Sequence, residues 1–239
     1  IPTALTIPTI NYTTALDFPG SSDYIDYGDS NDFSFGNGTT DSPFSVSFFV
    51  NLNSYPLNNA VFVSKDDGSP NREYGIGMFS GNRYVRFFIK NAGGNDQQSI
   101  DSTTILAIGS WYHVVATYDG RGGSNAADGM NLYINSIKET TNLIKQSYTA
   151  MVNTTAPFRI GQYNSQAYVD GKMSNTAIFN SALTPSQVST LFNSGQPETS
   201  MSYSPLSWWK LDDVTTGIQD SGSASNNGTI VGQVTQVTS

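Results

Sequence analysis

The sequence contains no cysteine, a single histidine and only three glutamates, Glu73, Glu139 and Glu198. The absence of cysteine excludes disulfides, thiolate metal sites and cysteine nucleophiles. It does not fix the compartment, because many secreted bacterial and viral proteins also lack it. Charge is sparse, at 13% of residues, and basic charge is sparser still: 11 Lys and Arg against 19 Asp and Glu leave a net charge of −8. Such a chain repels a polyanionic backbone, so nucleic acid is not an expected partner. No apolar run approaches a membrane span, and no basic-then-apolar signal peptide is present. The chain opens at Ile1 rather than Met, which fits a removed leader or a longer parent.

What is abundant is aromatic: 13 Tyr, 13 Phe and 3 Trp among 239 residues, together with 22 Gly. That is too aromatic for disorder and enough for a large core. The acid is nearly all Asp, a turn and cap residue, so much of it is expected in loops. Phe44, Val46, Phe48 and Val50 alternate with Ser45, Ser47, Phe49 and Asn51, the period of a strand. Residues 84–90 alternate too, Val85, Phe87 and Ile89 against Tyr84, Arg86, Phe88 and Lys90. Further strands are expected at 24–27, 60–64, 73–79, 111–118, 130–135, 157–161 and 174–180. Turn-rich stretches at 66–71, 91–96 and 119–129 separate them. Many short strands argue for a sandwich or barrel. One helix is expected near 185–194. Thr184 is its N-cap, Pro185 its first residue, Gln187 the capping-box partner, Leu183 and Val188 the staple, and Gly195 the stop. Residues 196–205 read as a connector. After it, 208–211 and 229–231 are strand-like, and the adjacent Trp208 and Trp209 point to opposite faces. One is expected in the core, the other exposed or covered by a partner.

The segment from Ala15 to Ile25, ALDFPGSSDYI, resembles the opening of LamG-like, concanavalin A-like jelly-roll domains. Residues 44–50 resemble the family's next strand. Trp111 to Gly120, WYHVVATYDG, is similar to its most recognisable segment, and 131–135 to the strand after it. Residues 170–173 and 178–184 resemble the family's DGKI and IYNRALS stretches. The resemblance covers roughly 15–195 and implies an all-β, two-sheet antiparallel jelly roll with one short helix. An N-terminal arm, 1–14, would precede it, with a connector at 196–205 and a C-terminal segment at 206–239. The chain departs from the family at Ser174-Asn175, where Asp-Glu is common. It departs again at 208–232, which resembles the strand that normally begins such a domain. That segment could complete its own sandwich, donate a strand to a neighbouring subunit, or mark a tandem array. Self-completion is favoured, since it avoids the entropy of association.

Chemistry is thinly signalled. The E-x-D-x-E strand of jelly-roll glucanases is missing, and no glutamate has a carboxylate two residues away. His113 sits mid-strand among Val and aromatics, the setting of a packed core histidine rather than a general base. No G-x-S-x-G elbow accompanies it. Tyr84, Arg86, Phe88 and Lys90, with Arg72 and Tyr74, form the candidate ligand face: flat aromatics beside charged and amide groups suit a sugar. The plainer reading is that these aromatics are core. Asp17, Asp23 and Asp170 are the candidate metal ligands, since calcium takes oxygen donors. The resemblance implies a calcium ion tying the two chain ends, whereas Asp-rich loops are also ordinary turns. Sequons at Asn11, Asn37, Asn153 and Asn227 follow from an Asn- and Thr-rich composition.

The expected function is a non-enzymatic surface module, extracellular or on a virion, similar to LamG-like proteins of phages and marine microbes. Its partner would be a glycan or a neighbouring subunit. The alternative is a polysaccharide hydrolase or lyase. A binding module should expose an aromatic groove on the concave sheet. A structural subunit should fill that face and use the tail or the arm as an interface.

Overall fold

The computed structural model describes residues 14–56, 59–79, 83–91, 97–164, 166–196 and 198–238. The arm expected at 1–14 lies outside them but for Thr14. In chain order the strands are β1 (Thr14–Pro19), β2 (Tyr24–Asp26), β3 (Phe44–Leu52), β4 (Ala60–Asp66), β5 (Arg72–Met78) and β6 (Tyr84–Lys90). Then come β7 (Gln97–Ile105), β8 (Trp111–Tyr118), β9 (Met130–Ile134), β10 (Ile137–Lys138), β11 (Asn142–Lys145) and β12 (Phe158–Ile160). The last are β13 (Gln162–Tyr163), β14 (Ala167–Tyr168), β15 (Asp170–Phe179), β16 (Ser207–Trp209), β17 (Thr229–Val231) and β18 (Thr235–Thr238). They make two large antiparallel sheets and a small hairpin, β13–β14. Sheet A runs β10-β9-β8-β3-β15-β1-β18, with β16 also on β15. Sheet B runs β11-β7-β6-β5-β4-β12-β2-β17. This is the two-sheet antiparallel sandwich with one short helix that the family resemblance implies. No helix among the described residues is long and apolar enough to cross a membrane.

Alternation decides which side chains meet between the sheets. Val46, Phe48 and Val50 of β3 and Val114 and Ala116 of β8 face Ile76 of β5 and Phe87 and Ile89 of β6 in one core. Asp41 closes one end. Its carboxylate accepts from the hydroxyls of Tyr118 (2.8 Å) and Tyr148 (2.7 Å) and from the Met151 amide (2.8 Å). Burial still pushes its pKa up.

The one α-helix among the described residues, α1 (Pro185–Phe192), starts as its sequence dictates. Thr184 and Gln187 form a complete capping box, and Leu183 and Val188 share one apolar cluster. Its end differs from expectation. Asn193, at φ 45° and ψ 40°, is the left-handed cap, and Gly195 instead ends the 3-10 turn that follows.

The C-terminal segment pairs within its own chain at three places. β16 lies on β15 at Thr176–Ile178, beyond the bulge where β1 leaves off at Met173. β17 adds to β2 and β18 to β1. Trp209 enters the core, its ring 4.1 Å from Tyr27 and 5.4 Å from Phe158. Trp208 faces the other way, as adjacent strand residues must. Its cover is the chain's own helix rather than a partner: it packs with Val188 and Leu191, and its indole donates to Asn175 Oδ1.

Candidate functional site

Strand register sets the outer face of sheet B. Ser99, Phe88, Gly75, Ser64, Arg159 and Asp26 stand opposite one another across β7, β6, β5, β4, β12 and β2. Gly75 leaves room there that Phe88 takes: a Cβ on Gly75 would meet the Phe88 ring at 2.7 Å. The β13–β14 hairpin then closes over the middle of the face. Ser64 Oγ donates to the Gln162 carbonyl at 2.7 Å, and Tyr163 and Phe79 stand edge-on to Phe88 at 6.0 and 5.5 Å. Phe88 is consequently buried and offers no ring to a ligand.

The other expected face residues divide. Arg86 lies flat against Asp101 through two bonds, 2.6 and 2.8 Å, and these hold its pKa above the ordinary arginine value. Tyr84 is half-buried beside it. Lys90 is almost enclosed, 3.3 Å from Asp66 and 3.0 Å from the Tyr163 hydroxyl. Arg72 approaches Asp66 at 4.0 Å. Burial raises the Asp66 carboxyl despite both cations. Tyr74 does not share this face. It stands opposite Ile89, is wholly buried in the core, and donates its hydroxyl to the Phe33 carbonyl. The bulge at Lys65/Asp66 sets the local register, which a single strand's sequence does not reveal.

Beside the hairpin lies a strip that the sequence reading missed. Arg159 stands 5.3 Å over the Tyr24 ring and bonds Asp26 and Asp67, each at 2.9 Å. Tyr168 of the hairpin is 6.4 Å from Tyr24, and both rings are half-buried. The signal was long-range: Tyr24, Asp67, Arg159 and Tyr168 come from four parts of the chain.

His113, Glu73 and Glu139 are occupied elsewhere. His113 is fully buried, with Nε2 2.8 Å from Ser47 Oγ, and burial drops its pKa to about 3. Glu73 is sealed with Lys65 (3.5 Å), Thr154 and Ser34, and burial raises its pKa. Glu139 caps the amides of Thr103 and Thr104.

The family model described as the concanavalin A-like lectin/glucanases superfamily matches residues 19–189. The chain belongs to this superfamily. Similar solved structures agree on the fold. One is a candidate carbohydrate-binding protein of Bacteroides ovatus, at 21% identity and TM-score 0.60, where 95% of this chain covers 60% of that one. Another is a heptameric SAP-like pentraxin of Limulus polyphemus, at 16% identity and TM-score 0.53, covering 95% of this chain and 96% of that one. A third is the binding domain of botulinum neurotoxin DC, at 20% identity and TM-score 0.50, covering 78% and 47%. The chain thus spans about 60% of the length of the Bacteroides protein. No curated protein sequence matches it.

The calcium ion that the superfamily resemblance implies does not fit the expected ligands. Asp23 is spent on amides: Oδ1 accepts from Gln233 N at 2.6 Å and Oδ2 from Ser21 and Ser22. Burial opposes these bonds, yet they hold its pKa below the usual carboxylate value. Asp17 accepts from Asn53 at 3.0 Å, and Asp170 from Ser54 at 2.5 Å. Among the described residues no three acidic or histidine side chains gather around one point. In this lectin/glucanase-type chain β18 on β1 and β17 on β2 join the two ends of the described chain, and the Asp23–Gln233 hydrogen bond lies between them.

Proposed function

We propose that the chain is a non-enzymatic glycan-binding module, displayed outside the cell or on a virion, with its ligand on the outer face of sheet B. The observation that carries this reading is the strip beside the β13–β14 hairpin. There Tyr24 and Tyr168 offer apolar rings, while Arg159, Asp26 and Asp67 offer directed donors and acceptors. Sugars present both an apolar C–H face and a ring of hydroxyls, and sites of this mixed kind orient them. The hydrogen-bonded Glu73 and Glu139 and the buried His113 support a role without acid–base chemistry. The candidate carbohydrate-binding relative and the toxin binding domain, solved with SialylT, lend the reading support by fold.

A second reading is a structural subunit, favoured by the hairpin that fills the centre of the same face. A glycan array probed with the full chain, with calcium and again with chelator, separates the two. The glycan reading expects retention of a defined glycan class that survives chelation. Tyr168→Ala should weaken it roughly tenfold, about 1.4 kcal/mol. No retention under either condition would overturn this reading and leave the subunit.

A further inference from the structure

Lys65 is a charged residue in an interior row of sheet B. Register places it opposite Phe158 on β12 and Tyr74 on β5, and Tyr74 in turn opposite Ile89 on β6, all three of them core residues. The Lys65 side chain is 0% exposed. Its ammonium meets three oxygens: the Ala156 carbonyl at 2.6 Å, Asp29 Oδ1 at 2.8 Å and Glu73 Oε1 at 3.5 Å. Asp29 comes from the loop after β2, and β12 lies between β2 and β4 in the sheet. Glu73 comes from β5, where the bulge leaves it without an opposite residue on β4.

A buried ion pair stabilises a fold weakly at best, because both charges forgo hydration. Joining the two groups as an amide removes both charges from the interior. The parts needed for that are already in contact. A nucleophile and a carboxyl held at hydrogen-bond distance within one chain have a high effective concentration. Glu73 is placed to carry the proton. Its Oε1 is anchored by the amide and the hydroxyl of Thr154, each at 2.9 Å, and its Oε2 is enclosed with no hydrogen-bond partner. Burial pushes its carboxyl pKa up, which suits a group that must both take and return a proton.

We propose that Lys65 and Asp29 join in an intramolecular isopeptide bond, with Glu73 as the proton carrier. Glu73 takes a proton from the Lys65 ammonium. The freed lone pair attacks Asp29 Cγ, and the C–N bond forms. One C–O bond of Asp29 then breaks, and its oxygen leaves as water. Of the three ammonium protons, one stays on the amide nitrogen and two leave in that water, one of them by way of Glu73. Nothing is oxidised or reduced, and Glu73 ends as it began. The link ties the loop after β2 to β4 across β12, in a chain that has no cysteine for a disulfide. It forms once, within the chain, and turns over no ligand, so it stands apart from the glycan reading above.

The intact mass of the purified full chain, measured after unfolding, reads the bond directly. It should lie one water below the mass calculated from the residues. Trypsin localises the loss. Lys65 is the first basic residue of the chain and Arg72 the next. A free Lys65 therefore releases residues 1–65, whereas a linked one leaves 1–72 uncut and one water light. Asp29→Ala and Glu73→Gln should each restore the full mass and the cut after Lys65. The Asp29 side chain is 39% exposed, so its variant keeps the test decisive if Glu73→Gln does not fold. A wild-type chain of full mass overturns the proposal. So does a water loss that persists in Asp29→Ala, or one in which Lys65 is still cut, which would assign it to a cyclised Asp-Gly pair such as Asp67-Gly68. A loss that persists in folded Glu73→Gln overturns the part given to Glu73.

Discussion

His113 shows how one buried side chain sets the response of the protein to acid. Burial holds its pKa at about 3 in the native state. In the unfolded chain a histidine titrates near 6.5. Between those values the unfolded chain binds a proton that the native chain refuses. Stability therefore falls as pH drops through this window, by about 1.4 kcal/mol per pH unit. Asp41, Asp66 and Glu73 pull the other way. Their carboxyls are raised by burial, so the native state takes up their protons first as pH falls. The histidine contribution is separable by difference. Urea denaturation at pH 7 and pH 5 should show the wild type losing about 2 kcal/mol more than His113→Gln over that interval. Equal losses in the two proteins would mean that His113 is protonated in the native state.

At the scale of elements, the helix offers the cleanest test, because its start is made by local chemistry alone. Thr184→Ala removes one half of the capping box and should cost about 1 kcal/mol, read as a lower thermal midpoint. A loss below a few tenths would mean that packing of Val188 and Leu191 under Trp208 fixes the helix without its cap. The same contrast between local and long-range causes explains what the sequence disclosed. The strands β3 and β6 were legible because apolar alternation runs along them, and β8 because Trp111 to Gly120 resembles a family segment. Strand β7 was not: Gln97 to Ile105 carries Gln, Ser, Asp and Thr around Ile100, and its place comes from pairing with β6 and β11. Strand β18, Thr-Gln-Val-Thr, likewise exists through β1. Of the candidate site, the grouping of Tyr84, Arg86, Phe88 and Lys90 on one face followed from period two. That Phe88 is roofed by a hairpin, or that Tyr74 turns inward, depends on register and on a loop about 75 residues away. The strip around Arg159 was beyond reach for the same reason.

At the scale of the whole molecule, the question is whether residues 206–239 finish the sandwich or merely decorate it. Each of its strands has a partner in the main body. β16 extends the row that β1 begins on β15, β17 flanks β2, and β18 flanks β1. Without them β1 and β2 become sheet edges. The larger effect is apolar. Trp209 fills the centre of an aromatic group with Tyr27, Phe33 and Phe158. Removing such a side chain typically costs about 3–5 kcal/mol, against a total stability of about 5–15 kcal/mol for a typical domain. Leu211 and Ile218 leave the same core with it. A chain ending at residue 205 should therefore lack a cooperative unfolding transition, lose near-ultraviolet dichroism and bind a hydrophobic dye. Adding a peptide of residues 206–239 should restore the transition, because the docking groove is formed by strands that the shorter chain still carries. If the 1–205 chain instead unfolds cooperatively at the midpoint of the full chain, the segment is an accessory and the core closes without Trp209.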